Sequence, residues 1–226
     1  MYQLLILTTA INRYDIHKKT LLPIAKLLKK NGIKTKWIIN LDIIEKVNVN
    51  LEETILFLTN KLKYSNIDIE LIIKETPCFF KAVKRLAIES EKYIDEIKCI
   101  LYLEDDWLLL EEDYTNFINK ILYWNSNTII NMGKLSPYLL GFKPTIWCNV
   151  TFKQYFINIF KENDNVIMDP EKYFRNQLYK GHKFPLPNIN HQQIEHQYFI
   201  DYGRKWMKKN KLNKKGWDYV QQSITY

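Results

Sequence analysis

The first hundred residues alternate between two hydrophobic periods. "YQLLILTT" (2–9), "KTKWIINLD" (34–42), "IDIELIIKE" (67–75) and "KCILYLE" (98–104) are short apolar runs, and each predicts a strand. Between them, "IHKKTLLPIAKLLKKNG" (16–32), "LEETILFLTNKLK" (51–63) and "FFKAVKRLAIESEKYI" (79–94) place apolar residues at helical spacing, the first stopping at Gly32. Strands alternating with helices of this length predict an α/β architecture, a mostly parallel sheet covered on both faces. In such sheets ligands bind beyond the carboxyl ends of the strands.

After residue 115 the pattern loosens. A helix is expected near 114–124, a strand at 127–135, a Pro/Gly-punctuated stretch at 136–144, helices near 151–162 and 170–179, a loop at 181–193 and a basic helix near 198–210. With no internal repeat and no linker, one domain over 1–226 is the simplest organisation. It has a Rossmann-like N-terminal half and an irregular second half forming the far wall of a cleft.

One stretch, "CILYLEDDWLLLEEDY" (99–114), interrupts an apolar run with Glu104, Asp105 and Asp106. Desolvating three adjacent anions costs several kcal/mol unless something positive meets them. On a strand, Glu104 and Asp106 share a face and Asp105 points away. Two converging carboxylates make half a site for a hard divalent cation, Mg²⁺ or Mn²⁺, of the kind that bridges to phosphate oxygens. The competing reading is an acidic turn whose carboxylates cap the next helix or pair with lysines. Glu111, Glu112 and Asp113 are expected to form only a helix start.

Composition narrows the class. At 226 residues, with 46% hydrophobic and 14% aromatic content, the chain can build a substantial core, which excludes a disordered or fibrous protein. No apolar run reaches the roughly 18 residues of a membrane span, and the N-terminus does not read as a signal peptide, so a cytoplasmic location is expected. Cys78, Cys99 and Cys148 lack any CxxC spacing and read as buried small hydrophobes. The net charge of +8 suits nucleic acid or phosphorylated substrates, but lysines thicken only in "KWMKKNKLNKK" (205–215). Only Arg13, Arg85, Arg175 and Arg204 are arginines, and their planar forks grip phosphate or carboxylate bidentately. Six glycines without a G-x-G pair argue against dinucleotide and P-loop sites.

Taken with its neighbours, the acidic strand end resembles family-2-type glycosyltransferases of the GT-A fold, including small single-domain enzymes of large DNA viruses. The resemblance rests on "FFKAVKRLAIESEKYIDEIKCILYLEDDW" with its D-x-D-like "EDDW", on "LTTAINR", "KPTIW", "DPEKYF" and "IEHQYFIDYGRKW", in the family's order along the chain. It implies a nucleotide-diphosphate sugar donor, uridine diphosphate being the favoured nucleotide, with Mn²⁺ or Mg²⁺. A glycan or other hydroxyl acceptor would receive a hexosyl or deoxyhexosyl group with inversion, in host cytoplasm if the chain is virus-encoded.

Residues 1–106 would then bind the nucleotide sugar, and 107–226 would supply acceptor contacts and catalysis. The resemblance places Thr8, Thr9 and Arg13 at the nucleotide, Asp42 at the base, Lys81 and Arg85 at the uracil or diphosphate, and the ribose near Asp105. It places the metal on Asp106 and Glu104, with His196 completing the shell and His191 as its rival. Arg204 would clamp the diphosphate while Gly203 lets the backbone approach. Glu171 is favoured as the base, Asp169 being the alternative, and both also suit capping of the 170–179 helix. Trp107, Tyr138 and Trp147 are candidates for stacking on sugar. Two other readings remain open: a metal-dependent nuclease or phosphotransferase, and a module that binds nucleotide sugars or glycans without turnover.

Overall fold

The computed structural model describes residues 1–44, 51–97, 99–124, 128–132, 143–161, 169–181, 190–193, 197–203 and 206. Strands β1 (Leu4–Ile11), β2 (Thr35–Asp42), β3 (Ile67–Lys74) and β4 (Cys99–Glu104) alternate with helices α1 (Tyr14–Lys30), α2 (Leu51–Leu56) and α3 (Phe79–Ser90). Helix α2 runs on into a π-helical turn, Phe57–Lys61. Helix α1 ends before Gly32, whose φ of 64° is the left-handed conformation that glycine adopts without steric cost.

The second half is built from shorter pieces. β5 (Trp107–Leu109) leads to α4 (Tyr114–Leu122), followed by β6 (Thr128–Asn131) and β7 (Thr145–Cys148). Then come α5 (Asn149–Thr151), a π-helical stretch Phe152–Ile157, α6 (Asn158–Lys161), α7 (Pro170–Gly181), β8 (Asn190–Gln193) and β9 (Phe199–Asp201).

Seven strands form one sheet in the order β3-β2-β1-β4-β7-β6-β8, and β5 and β9 form a separate antiparallel pair. In the large sheet only β7 runs against the others. Strands β1 and β2 are buried along their whole length, as expected of central parallel strands covered on both faces. The pleat divides β1 between two cores. Leu4 and Ile6 join Leu21, Ile24 and Leu28 of α1 and Phe117 of α4 on one face, while Leu5 and Leu7 join Val83 and Leu86 of α3 and Phe156 and Phe160 on the other.

Several sequence expectations change here. The loop expected at 181–193 ends in strand β8, and the helix expected from 198 begins as strand β9. β5 and β7 were not foreseen. Trp147 is buried among Phe152, Phe156 and Phe174, and Trp107 is buried in the α1-side core, so neither offers a face to sugar. Tyr138 lies outside the described residues.

Candidate active site at the end of strand β4

β1 and β4 pair in parallel with Thr9 opposite Glu104, so the chain leaving β4 runs beside the chain that leaves β1 into α1. This register answers for the buried anions. Asp105 turns into the protein, 2% exposed, and accepts from Arg13 through both Nε and Nη2, the Nε contact being 2.9 Å. Its Oδ2 also lies 2.8 Å from His17 Nε2 and 3.3 Å from the Ile11 amide. The backbone of Asp105 is held as well: its amide donates to the Thr9 carbonyl, and its carbonyl accepts from Thr20 Oγ1. Arg13, His17 and Thr20 are spaced so that they line one side of the start of α1. Together they pin this one residue.

Arg13 also reaches the next carboxylate, its Nη2 lying 3.1 Å from Asp106 Oδ2. The guanidinium is 4% exposed and stands 5.7 Å from the ring centre of Trp206. Burial works against its charge, but Asp105 and Asp106 outweigh burial and hold it protonated above its ordinary range. Burial likewise opposes ionisation of Asp105, yet the charge and hydrogen bonds of Arg13, with those of His17, hold that carboxyl well below the usual range.

Its two neighbours behave in the opposite way. Burial, then the charges of Asp106 and Asp105, push the Glu104 carboxyl well above its ordinary value, and Arg13 only partly offsets them. Asp106 is raised by burial against the pull of Arg13, with Asp105 and Asp201 adding to the rise. Among the described residues the strand end therefore brings more carboxyl groups together than Arg13 alone can pair, and Glu104 and Asp106 resist ionising there.

The chain at Asp201, Tyr202 and Gly203 closes over this point. β9 pairs with β5, placing Asp201 opposite Trp107, and the Tyr202 amide donates to the Asp106 carbonyl at 2.8 Å. Gly203 is packed so tightly on Asp106 that an added Cβ would lie 2.0 Å from Oδ2. Glycine here makes room for a protein carboxylate, a role different from the approach to a diphosphate expected of it. The segment is bolted to α1 by Lys19 donating to the Tyr202 hydroxyl and by Trp206 Nε1 donating to Asp15, both at 2.8 Å.

A second cluster joins other predicted residues. Arg85 Nη2 donates to Asp42 Oδ1 at 2.8 Å and its Nε to Asn40 Oδ1 at 2.7 Å, while Asp42 also accepts from Asn40 and from the Cys78 amide. Burial raises Asp42 despite these donors and lowers Arg85. Lys81, one turn before Arg85, is exposed.

Other predicted residues are placed differently. Thr8 and Thr9 lie within β1 and not beyond it. Thr8 is fully buried with its hydroxyl accepting from Trp37 Nε1 at 2.9 Å, so it has no surface for a nucleotide, and Thr9 is 6% exposed with its hydroxyl 3.4 Å from that of Tyr102. Asp105 is likewise closed off, because protein donors meet both of its oxygens. Asp169 caps α7, its Oδ1 accepting from the Lys172 amide at 2.8 Å, and Glu171 is half-buried in the first turn. Neither enters the network around Asp105. His196 and Arg204 lie outside the described residues, and of His191 only the backbone, in β8, is described.

Sequence reasoning missed His17, Thr20, Asp201, Tyr202 and Trp206. The signal for the first two was present as R-x₃-H-x₂-T opening α1, directly after a buried strand. Among the described residues no group of three or more His, Cys, Asp or Glu side chains is arranged to hold a metal ion. Glu104 and Asp106 nevertheless have the oxygen chemistry that suits a hard divalent cation.

No protein-family model matches the chain, and no curated protein matches its sequence. Its structure is similar to that of Staphylococcus aureus TarS, with a TM-score of 0.50 and 13% identity over 88% of this chain and 36% of TarS. The fold is GT-A-like. Further matches are a glycosyltransferase involved in glycosylation of the major capsid of PBCV-1 (TM-score 0.49, 10% identity, 86% of this chain and 82% of that one) and a putative glucose-1-phosphate thymidylyltransferase from Bacillus anthracis (TM-score 0.46, 7% identity, 88% and 90%). In this GT-A-like sheet the acidic residues stand at the carboxyl end of a central strand, where open α/β sheets bind ligands. Among the described residues no helix is long and apolar enough to cross a membrane.

Proposed function

We propose that the chain is a glycosyltransferase that moves a sugar from a nucleotide-diphosphate sugar, favoured to be a UDP-sugar, to a hydroxyl acceptor. The observation that carries this reading is the acidic end of β4, where Arg13 grips Asp105 doubly and Asp106 only once, and where burial and mutual repulsion push up the carboxyls of Glu104 and Asp106. Glu104 and Asp106 would hold Mn²⁺ or Mg²⁺, with His196 as a further ligand. The cation's contribution would be to neutralise charge on the departing nucleoside diphosphate.

The protein's own groups divide the remaining work. Asp42, whose oxygens are met by Arg85, Asn40 and the Cys78 amide, is reassigned from base contact to holding Arg85 in place; Lys81 and Arg204 meet the diphosphate. Asp105 is reassigned from ribose contact to anchoring, since its oxygens are already met by Arg13, His17 and the Ile11 amide. Glu171 is the base that takes the acceptor hydroxyl's proton, and the capping bond of Asp169 supports Glu171 over Asp169 in that role.

A thermal-shift panel of nucleotide sugars, with and without Mn²⁺, tests this reading. One nucleotide-diphosphate sugar should stabilise the protein in a metal-dependent way, and the shift should vanish in Asp106→Ala. Saturation at a hundred times the dissociation constant adds about 2.7 kcal/mol, which a melting curve resolves easily. Stabilisation by DNA or RNA, with no response to any nucleotide sugar, would overturn the proposal.

A further inference from the structure

We infer that Arg13 is a resident counter-ion that competes with the divalent cation for Asp106, so that the acidic strand end binds metal more weakly than its carboxylates alone would. The inference rests on the reading of Glu104 and Asp106 as cation ligands. The two arms of the guanidinium are held unequally. Toward Asp105 the grip is double, through Nε and Nη2, on a side chain 3% exposed that His17 also contacts, while Thr20 holds the backbone carbonyl of the same residue. Toward Asp106 it is the single 3.1 Å contact of Nη2, on a side chain 19% exposed.

An arginine cannot shed its proton to relieve repulsion. A divalent cation arriving at Asp106 therefore meets a fixed positive charge a few ångströms away, where the protein screens poorly. The lower-cost adjustment is for Nη2 to give up Asp106 while Nε keeps Asp105. Trp206 supports that outcome, because its ring lies against the guanidinium independently of either carboxylate. A diphosphate brings negative charge of its own, so metal should bind more strongly with the nucleotide than without it, and Arg13 sets the size of that difference.

Metal affinity of the intact chain provides the test. Mn²⁺ binding, followed by the electron paramagnetic resonance of free Mn²⁺, is compared in the wild type and in Arg13→Lys, whose ammonium can serve Asp105 but lacks the fork that spans both carboxylates. The expected result is that Arg13→Lys binds Mn²⁺ about tenfold more tightly. Equal or weaker binding by the variant, with the wild type still binding, would overturn this inference and leave the proposed function standing. Absence of binding in both would remove the cation reading and the inference together. Should the variant fail to fold, Mg²⁺ is titrated into wild-type protein labelled with ¹⁵N-arginine, in which only four residues carry the label. The Arg13 Nη protons should then exchange faster with solvent while its Nε–H stays protected, and an unchanged Arg13 signal at saturating Mg²⁺ refutes the competition.

Discussion

Gly203→Ala is a sharp probe of how the acidic strand end is assembled. The new methyl carbon would lie 2.0 Å from Asp106 Oδ2, 2.7 Å from its Cγ and 2.8 Å from its Cβ. Ordinary contact begins near 3.4 Å, so the nearest approach must open by about 1.4 Å. The backbone at Gly203 is not left-handed, so alanine carries no conformational penalty there and the whole cost is steric. Either β9 moves off β5 or Asp106 swings away and loses Arg13. Overpacking of this kind costs about 1–3 kcal/mol. At about 2–4 °C per kcal/mol for a chain of this size, the melting temperature should fall by roughly 2–12 °C. If Asp106 holds the cation as proposed, a displacement near 1 Å there should also lower turnover by about a hundredfold. The decisive assay is a double-mutant cycle in thermal unfolding with Asp106→Ala, which removes the two nearest atoms. The Cβ of residue 106 remains 2.8 Å away, so the alanine at 203 should then cost less without becoming neutral, with a coupling of at least about 1 kcal/mol. Additivity within about 0.5 kcal/mol would refute the packing argument.

Three further outcomes are expected. Glu104 has a folded-state pKa above its unfolded value, so the stability its protonated form contributes is present below about pH 4.3 and is lost as pH rises through the folded value; metal-free wild type should therefore lose stability relative to Glu104→Gln as pH rises above about 4.3, and parallel melting curves would refute this. Asp105 has the opposite sign: its folded pKa is depressed, so its contribution is present above about pH 3.9 and disappears as pH falls further, and Asp105→Asn should cost about 3–5 kcal/mol at pH 7 by leaving Arg13 buried beside a neutral group, as read by denaturant unfolding. Asp169→Ala should cost about 1 kcal/mol as a lost helix cap with turnover retained, whereas Glu171→Gln should lower turnover by about 10²–10⁴ with little change in melting temperature; the reverse pattern would make Asp169 the base.

The elements legible in the sequence are those whose signal is local. The strands β1 to β4 and helices α1 and α3 announce themselves because at least one face of each strand, or one stripe of each helix, is largely apolar over six residues or more. "WLL", "TIWC", "NHQQ" and "FID" are too short to show a period, and "NHQQ" has no apolar residue; they are strands because distant partners complete them. The candidate site divides in the same way. The anions were visible as an interruption of an apolar run, but their partner was not, since residues 13 and 105 are 92 apart and only the β1–β4 register brings them together. Arg13 was singled out for its scarcity and assigned to a ligand, although its carboxylate partners belong to the protein.

That register also explains why residue 13 is an arginine in a chain that otherwise favours lysine. With Thr9 opposite Glu104, the residue that opens α1 faces the two that follow β4, and it must serve a buried carboxylate and its neighbour from one position. A planar fork can donate to both at once, whereas an ammonium acts as a point charge. Among the described residues one guanidinium nevertheless faces the carboxyl groups of Glu104, Asp105, Asp106 and Asp201, the last of which β9 carries in from the far end of the chain. A loop needing only structural balance would keep Asp105 and dispense with the rest, because each additional desolvated carboxylate costs stability. The residues beyond that balance, Glu104 and Asp106, are the two whose carboxyls are pushed up, and they are therefore the ones to which a function should be assigned.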